Sequence, residues 1–334
     1  MHNNVHDILC ELADPEARHS GSILADAPID DLLQLAHAHG VTPIILRKLD
    51  ELDNQIEPEA HEIIEAKRDQ AFIEMMAKIL DSHRTHIEIA MREASIPFSI
   101  VKGHTFRHAL YKHPTDRPFS DIDILVPPDS LKGAQRVLEQ LDFAQFKRGF
   151  LDKSEANREE KWGYKGDRLL LAELHTDLVH VPALRRRVQF GHEQMRIAND
   201  NGRRVNAGNF IVAIIHAAAG HKFHTLRLLV DVLQAYRALA DADIAHINEA
   251  IDDLKCHPEV TASLELISEL FPSPKLNESV QATLARLQLP KIAVSVSRWA
   301  VLHAPTDKTG RSKINRHAFR HYQNMVARRS KATD

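Results

Sequence analysis

The apolar residues of this 334-residue chain change their spacing twice, and this change most strongly limits the folds open to it. Residues 1–95 carry apolar residues three and four apart, which is typical of amphipathic helices. Residues 96–206 contain short apolar runs that end at turn residues, as buried strands do. The helical spacing returns over residues 207–334. We therefore predict an α+β fold in which a small mixed sheet lies between an N-terminal and a C-terminal helical region.

Three segments of the middle region are predicted strands. They are PFSIVKG, SDIDILVP and DRLLLAELHTDLV, and the helical segments HTFRHALYK and DSLKGAQRVLEQLDF lie between them. This order predicts a mixed sheet of four to five strands within residues 96–206. In the N-terminal region, Gly40 is predicted to end one helix, and the pair Thr42 and Pro43 to begin the next.

Composition narrows the class of protein. The formal net charge of −3 gives the chain as a whole no electrostatic pull toward nucleic acid or an anionic membrane, and only residues 311–334 are locally basic. We interpret that tail as a solvated surface, because Phe319 and Tyr322 are the only aromatic residues between its charges. Two cysteines, Cys10 and Cys256, are too few for a disulfide framework. With no signal pattern and no long apolar run, we expect a cytoplasmic protein without a membrane partner.

The segment RPFSDIDILVP, residues 117–127, places two aspartates inside a run that otherwise favours a buried strand. Side chains alternate across a strand, so Asp121 and Asp123 share one face while Ile122 and Ile124 pack on the core from the other. A buried carboxylate is costly unless it meets a positive partner. Two carboxylates one residue apart suit a hard divalent cation such as Mg²⁺. The ordinary alternative, a solvated turn or helix cap, does not fit the apolar flanks.

The third predicted strand offers a further carboxylate. In LLLAELHTD, Glu173 and His175 alternate with apolar residues and therefore share one face. If this strand lies beside the second, Glu173 comes next to Asp121 and Asp123. Three carboxylates would then surround one or two metal ions.

Lys102 and Gly103 lie where the first predicted strand meets a helix. Backbone N–H groups at such a turn can face an anion, and Lys102 would add a point charge suited to phosphate. The ordinary reading is that the glycine only makes the turn. The phosphate reading gains weight from the order of the features, since this turn, one helix and the strand of Asp121 follow one another directly.

Residues 96–143 (IPFSIVKGHTFRHALYKHPTDRPFSDIDILVPPDSLKGAQRVLEQLDF) resemble the core of the nucleotidyltransferase superfamily related to DNA polymerase β. More narrowly, they resemble its uncharacterised bacterial nucleotidyltransferases. The resemblance is carried by a lysine-glycine turn, a helix that ends near a tyrosine, an arginine ahead of the D-x-D and a later glutamate-x-histidine strand. It extends over residues 30–235.

The resemblance implies a role for each of these residues. The implied catalytic and metal-binding residues are Asp121, Asp123 and Glu173. The implied nucleotide-binding residues are Lys102, Gly103, His104 and Arg117. Most of the wider superfamily has Gly-Ser or Gly-Gly at the turn, whose serine contacts phosphate. His104 replaces that residue here, so the contact would pass to Lys102, to His104 or to the backbone.

The resemblance also implies a reaction. An NMP group would pass from an NTP, with ATP expected, to a hydroxyl of a small molecule, sugar, peptide, protein or RNA, and pyrophosphate would leave. One or two Mg²⁺ ions, with Mn²⁺ as the alternative, would neutralise the triphosphate and activate the hydroxyl. Glu173 and Asp123 are alternative bases. The competing hypothesis is a catalytically silent binding or regulatory module, which would have no need of three acids on one face.

Two groups of polar residues in the C-terminal region remain open. His216, His221 and His224 do not predict a zinc site, because His216 and His221 are five residues apart and do not share a helix face. Packing within the helices is the ordinary reading of these histidines, and contact with substrate is the alternative. Asp231 lies in a leucine-rich helix, where we expect a structural ion pair with a basic residue such as Arg227, and a catalytic role is the alternative.

Overall fold

The computed structural model describes residues 4–18, 28–52, 61–146, 158–271 and 273–329. Ahead of the sheet, the described residues form the helices α1 (Val5–Leu12), α2 (Ile29–His39), α3 (Thr42–Glu51) and α4 (His61–Glu93). Gly40 ends α2 in the left-handed region at φ 69°, and its N–H donates to the carbonyls of Ala36 and His37. The predicted end of one helix at Gly40 and start of the next at Thr42 are therefore confirmed.

Five strands form one mixed sheet, as predicted. They are β1 (Ser99–Val101), β2 (Asp121–Leu125), β3 (Phe143–Gln145), β4 (Glu159–Tyr164) and β5 (Asp167–His175). Their order in the sheet is β1-β2-β5-β4-β3, and β2 and β5 are parallel while the other neighbours are antiparallel. The helix α5 (Gly103–Ala109) joins β1 to β2, and α6 (Leu131–Gln140) follows β2. The three predicted strands correspond to β1, β2 and β5.

One face of this sheet is buried beneath α4 and α6. Ile122 and Ile124 of β2 lie on this face and are at most 2% exposed. They belong to an apolar cluster with residues of β5, α4 and α6, among them Ala172, Leu174, Leu80, Ile87, Val137 and Leu138. The predicted packing of the isoleucine face on the core is confirmed, so the aspartates of β2 face the other way.

Helices from both ends of the chain pack in a second core. After the sheet come α7 (His192–Ala198), α8 (Val205–Ile214), a π-helical turn (Ile215–Gly220), α9 (Leu226–Arg237), α10 (Asp243–Leu254), α11 (His257–Leu270), α12 (Pro274–Arg286), α13 (Arg298–Leu302) and α14 (Arg311–Arg329). Their buried residues form one apolar cluster with α1–α3 and with Val101 and Leu125 of the sheet. Among the described residues, no helix combines the length and apolar character that crossing a membrane requires.

His39 joins three helices inside this second core. Its fully buried ring accepts the N–H of Leu226 on Nδ1 at 3.1 Å and donates from Nε2 to the Leu302 carbonyl at 3.0 Å. Only the neutral ring with its proton on Nε2 satisfies both contacts. Burial lowers the pKa of His39 to about 4, and the Leu302 carbonyl opposes this only in part.

We expect the fold to lose stability as the pH falls from 6.5 toward 4, because the unfolded chain then binds a proton that the folded His39 refuses. A pKa that drops from 6.5 to about 4 corresponds to about 3 kcal/mol, present in full above pH 6.5 and lost through this window. Urea unfolding of wild type and His39→Gln at pH 7.5 and 4.5 measures it. The variant should lose less stability between the two pH values, and equal losses would contradict the assignment.

Candidate active site

The pairing of β2 with β5 brings the predicted carboxylates onto one face. Asp123 lies directly opposite Glu173, and Lys161 of β4 lies opposite Glu173 on its other side. Residues directly opposite one another on neighbouring strands point to the same face of a sheet. Asp121 precedes Asp123 by two residues and shares this face. The expectation that a neighbouring strand places Glu173 beside the aspartates is confirmed.

Asp123 is the most enclosed of these carboxylates. It is 5% exposed, and its Oδ1 lies 2.6 Å from Lys102 Nζ and 2.9 Å from His175 Nε2. Burial alone would raise the pKa of Asp123, but Lys102 and His175 outweigh it and hold the pKa well below its usual range. The same pairing raises the pKa of Lys102, against the effect of its own burial. Asp123 is therefore an anion throughout the physiological range.

Glu173 lies beside Asp123 and completes a set of metal-ligand atoms. It accepts a hydrogen bond from Lys161, and its Oε2 lies 3.7 Å from His175 Nε2. One ligand atom from each of Asp123, Glu173 and His175 falls within 4.8 Å of the other two. Two carboxylates and an imidazole at this spacing fit a divalent cation. Lys102 and Lys161 neutralise the two carboxylates here, and a divalent cation would take over that role.

Asp121 differs from its neighbours because it has no ion pair among the described residues. Burial and the charges of Asp123 and Glu173 raise the pKa of Asp121 to about 7. It lies outside the group of Asp123, Glu173 and His175 but lines the same cavity. A carboxylate held near other carboxylates without a counter-ion is one that a bound cation would stabilise.

A second set of ligand atoms lies next to the first and was missed in the sequence. Glu159, His175 and His180 also bring their ligand atoms within 4.8 Å of one another, with His180 Nδ1 3.0 Å from Glu159 Oε2. Lys161 Nζ lies 3.2 Å from Glu159 Oε1. The missed signal is the alternation in EEKWGY, which places Glu159 and Lys161 on one face of β4 and Trp162 on the other.

Lys102 and Gly103 form a strained turn at the end of β1. Lys102 adopts φ 56° and ψ −128°, a conformation that residues other than glycine rarely adopt. Gly103 is required by close packing, because a Cβ on it would lie 2.9 Å from the Cβ of Phe119. The turn holds the Lys102 ammonium against Asp123, so the lysine predicted to contact phosphate contacts a carboxylate here.

Arg117 belongs to a buried ion pair. Its Nε and Nη2 donate to the two oxygens of Asp231 at 2.6 and 2.9 Å, and Tyr111 Oη donates to Asp231 Oδ1 at 2.7 Å. Arg117 is 2% exposed and Asp231 is fully buried. The expected structural role of Asp231 is thus present, but Arg227 is the wrong partner, since Arg117 takes both carboxylate oxygens. Through this ion pair, Arg117 connects the segment before β2 to α9.

His104 lies away from the other predicted residues. Its Nε2 is 2.9 Å from Asp81 Oδ1 of α4, and its ring packs 4.6 Å from that of His108. Burial and the charge of Arg84 lower the pKa of His104 to about 4. It is the one predicted nucleotide-binding residue that does not line the cavity. As the second residue of α5, it projects toward α4 rather than toward the carboxylates, and we leave it out of the proposed nucleotide site.

A cavity of about 370 Å³ opens over the carboxylates. The other six predicted residues line it: Lys102, Gly103, Arg117, Asp121, Asp123 and Glu173. His216, His221 and Arg227 line it from the C-terminal helical region. Neither set of metal-ligand atoms found among the described residues includes His216, His221 or His224. Burial lowers the pKa of His216 and of His221, so both rings are neutral near pH 7.

Arg227 is a residue of this cavity that the sequence did not assign to the site. It lies in the first turn of α9, and its Nε would be 3.2 Å from a Cβ at Gly40. The charge of Arg117, followed by burial, lowers the pKa of Arg227, and Asp231 and Asp121 oppose this only in part. Among the described residues it has no ion pair, because its expected partner Asp231 is occupied by Arg117.

Comparison with known proteins identifies one family. The chain matches the family described as uncharacterised nucleotidyltransferase over residues 25–272, which is well over half of its length. The match includes all five strands and every residue of the candidate site. No curated protein and no solved structure matches the chain significantly.

Proposed function

Because the chain belongs to this family of uncharacterised nucleotidyltransferases, we propose that it moves an NMP group from an NTP to a hydroxyl of an acceptor and releases pyrophosphate. The observation that carries the proposal is the direct pairing of Asp123 with Glu173 on adjacent strands, with Asp121 on the same face. ATP is the NTP we expect. An enzyme that transfers NMP needs clustered carboxylates at the floor of an accessible cavity, and this cluster meets that need.

We assign the divalent cation to Asp121, Asp123 and Glu173, with His175 as an additional ligand. When bound, Mg²⁺ or Mn²⁺ would neutralise the triphosphate and lower the pKa of the acceptor hydroxyl. The imidazole of His175 favours Mn²⁺ over Mg²⁺ relative to an all-carboxylate site, because nitrogen ligands suit transition metals better. Asp123 forms an ion pair with Lys102, and Glu173 forms one with Lys161. Neither carboxylate is therefore favoured over the other as the base that accepts the proton of the acceptor hydroxyl.

Recognition of the phosphates is assigned from the charges around the cavity. Three of its cations are already held by carboxylates: Lys102 by Asp123, Arg117 by Asp231 and Lys161 by Glu173. Arg227 has no such partner among the described residues. A largely buried guanidinium without a counter-ion is costly, and its forked donors suit phosphate oxygens. Arg227 therefore binds the terminal phosphates, and Arg117 positions it through α9.

Lys102 joins the phosphates at the Gly103 turn in this proposal. A cation bound by Asp123 would repel the Lys102 ammonium, which lies 2.6 Å from the same carboxylate. The freed ammonium is long and mobile enough to meet a phosphate oxygen nearby. Gly103 allows the turn to approach Phe119 closely, where a Cβ would lie 2.9 Å from the Phe119 Cβ.

Arg227→Gln is expected to weaken NTP binding by about one to two decades, since a charge-assisted contact is worth about 1.5–3 kcal/mol. Binding of the corresponding NMP should change less, because it lacks the terminal phosphates. Calorimetry with a non-hydrolysable NTP analogue and saturating Mg²⁺ measures both. Arg136→Gln, on the exposed side of α6, is the matched control. An unchanged dissociation constant for Arg227→Gln would remove Arg227 from the site.

The proposed function is tested first by the melting temperature of the wild-type protein with Mg²⁺ or Mn²⁺ and each NTP in turn. Ligand at 100 times its dissociation constant stabilises a fold by about 2.7 kcal/mol. We expect the rise only when cation and NTP are both present. No rise with any pair would contradict the nucleotide site.

A further inference from the structure

Residues 215–224 form one wall of the cavity, and this wall packs against the C-terminal helix α14. The rings of Phe223 and Phe319 lie 5.7 Å apart. Arg320 donates from Nη2 to the carbonyls of Ala218 and Ala219. These contacts place the middle of α14 against this wall.

The backbone of this wall is irregular. The π-helical turn Ile215–Gly220 is followed by Lys222 at φ 55° and Phe223 at φ 56°, two successive residues in the left-handed region. Residues other than glycine adopt this region less often, and the two residues together turn the chain sharply between the π-helical turn and α9. The turn presents His221 to the cavity and brings Lys222 beside α14.

A cluster of positive charge forms where the wall meets α14. Lys313, Arg316 and Arg320 recur three and four residues apart, so they share one face of the helix. Burial and the charges of these three residues lower the pKa of Lys222. We call Lys222, Lys313, Arg316 and Arg320 the basic cluster. Residues 311–329 contain no aspartate or glutamate.

Two acids act on this cluster from a distance, Asp307 on Arg316 and Glu259 on Arg320, and both make their hydrogen bonds to other groups. Asp307 accepts the backbone N–H groups of Thr309 at 2.8 Å and Ser312 at 2.7 Å. Glu259 is fully buried and accepts from Arg187 at 2.6 and 3.0 Å.

The members of the basic cluster therefore form no ion pair among the described residues. Arg320 is 9% exposed, and its Nη1 is buried without a hydrogen-bond partner. Uncompensated cations repel one another and are retained at a cost in stability.

The basic cluster is continuous with the cavity. The ring of His221 lies 4.7 Å from that of His216 inside the cavity and 5.3 Å from that of His224 outside it. Burial and the charges of Arg316, Arg227 and Lys222 together lower the pKa of His224. The neutral ring of His224 therefore lies within reach of two cations of the basic cluster and of Arg227 in the cavity.

We propose that the basic cluster binds the phosphodiester backbone of a single-stranded nucleic acid, whose terminal hydroxyl enters the cavity as the acceptor. This inference rests on the proposed function. Successive cations along one helix face match successive phosphates of a strand. A cavity of about 370 Å³ has the size of a small-molecule site and admits a strand end rather than a duplex. The chain as a whole has a formal net charge of −3, so the positive charge of this cluster is local. The proposal departs from the interpretation of residues 311–334 as a solvated surface.

The transfer balances without a further reactant. The terminal hydroxyl oxygen bonds to the α-phosphorus of the NTP, and the bond from that phosphorus to the β-phosphate oxygen breaks. The strand gains one nucleotide through a new phosphodiester, pyrophosphate leaves, and the hydroxyl proton passes through a site carboxylate to solvent.

Fluorescence anisotropy with a labelled twelve-nucleotide RNA tests the cluster. Lys222→Gln/Lys313→Gln/Arg316→Gln should bind the RNA at least about 10-fold more weakly than wild type at 50 mM salt. The slope of log affinity against log salt should also become shallower by about 2, since each phosphate contact of a single strand contributes about 0.7. The control Lys132→Gln/Arg136→Gln/Lys165→Gln makes the same charge change at exposed residues of α6 and the β4–β5 turn, and should bind like wild type.

A DNA strand of the same sequence distinguishes recognition of the ribose from recognition of phosphate alone. Equal RNA affinities of the two triple variants would overturn the inference, as would polyglutamate binding as tightly as the strands.

With α-labelled NTP, the wild-type enzyme should label RNA with a free terminal hydroxyl and not RNA blocked by a terminal phosphate; labelling of neither would remove the strand as acceptor. NTP binding is titrated separately and should be the same in wild type and in the triple variant of the basic cluster. If wild type binds no NTP, the proposed function fails; if it binds NTP but the RNA results contradict the inference, only the inference fails.

Discussion

Replacing Asp121 with asparagine is expected to lower cation-dependent NMP transfer more than about 100-fold, because residues that merely orient metal ligands already contribute 10- to 100-fold. The same change should leave the fold at least as stable as wild type. Asp121 has no ion pair among the described residues, and burial with the charges of Asp123 and Glu173 raises its pKa to about 7. Its negative charge is therefore unfavourable in the cation-free protein, and asparagine removes it at nearly constant shape.

Asp121 is a cleaner test than Asp123. Loss of Asp123 would strand the buried ammonium of Lys102, so a fall in activity would be mixed with a fall in stability. Asp142→Asn is the matched control, because Asp142 is exposed and lies at φ 63°, a conformation that asparagine tolerates. Turnover by Asp121→Asn within a few-fold of wild type would show that Asp121 is not part of the catalytic centre.

Replacing Asp231 with alanine is expected to destabilise the fold by about 3–5 kcal/mol, which is the cost of leaving a buried charge without its partner. The change removes the acceptor for two donors of Arg117 and for Tyr111 Oη. The change also leaves the Arg117 guanidinium without a counter-ion near Arg227. The charge of Arg117 already lowers the pKa of Arg227 in the wild-type protein. Urea unfolding measures the loss of stability.

Two further variants separate the charge from the hydrogen bonds. Tyr111→Phe removes one hydrogen bond to the Asp231 carboxylate and should cost about 1.5–3 kcal/mol. Arg117→Met/Asp231→Leu removes both charges and should recover much of the stability lost in Asp231→Ala. A loss below about 1 kcal/mol in Asp231→Ala would contradict the buried ion pair.

The floor of the candidate site could be predicted because it follows from local rules. Alternation of side chains along a strand places Asp121 with Asp123, and Glu173 with His175, whatever the rest of the chain does. The apolar residues between them then fix which face is buried. Local rules do not show that β2 and β5 are neighbours in the sheet. The structure shows this, and their pairing places Asp123 directly opposite Glu173.

The remaining residues of the site depend on contacts that no local pattern encodes. Arg227 and Asp231 are four residues apart on α9, where a helix alone would pair them. Arg117 lies 114 residues before Asp231 and displaces that pair with two hydrogen bonds. Glu159 was missed because β4, although longer than β1 and β2, is polar on one face and lacks their apolar runs. His104 was assigned by its position in a motif, whereas its direction is set by packing against Asp81 of α4.

The central claim is tested most directly by following two labels of one NTP through the reaction. The wild-type protein is incubated with Mg²⁺ or Mn²⁺, with ATP labelled at either the α- or the γ-phosphate, and with separate RNA, protein and small-molecule fractions as acceptors. We expect the α-label to enter one acceptor fraction and the γ-label to leave as pyrophosphate, with both events lost in Asp121→Asn and on chelation of the cation. Entry of the γ-label into an acceptor, or transfer of neither label from any NTP that the protein binds, would contradict a nucleotidyltransferase; the second result would instead indicate a binding module.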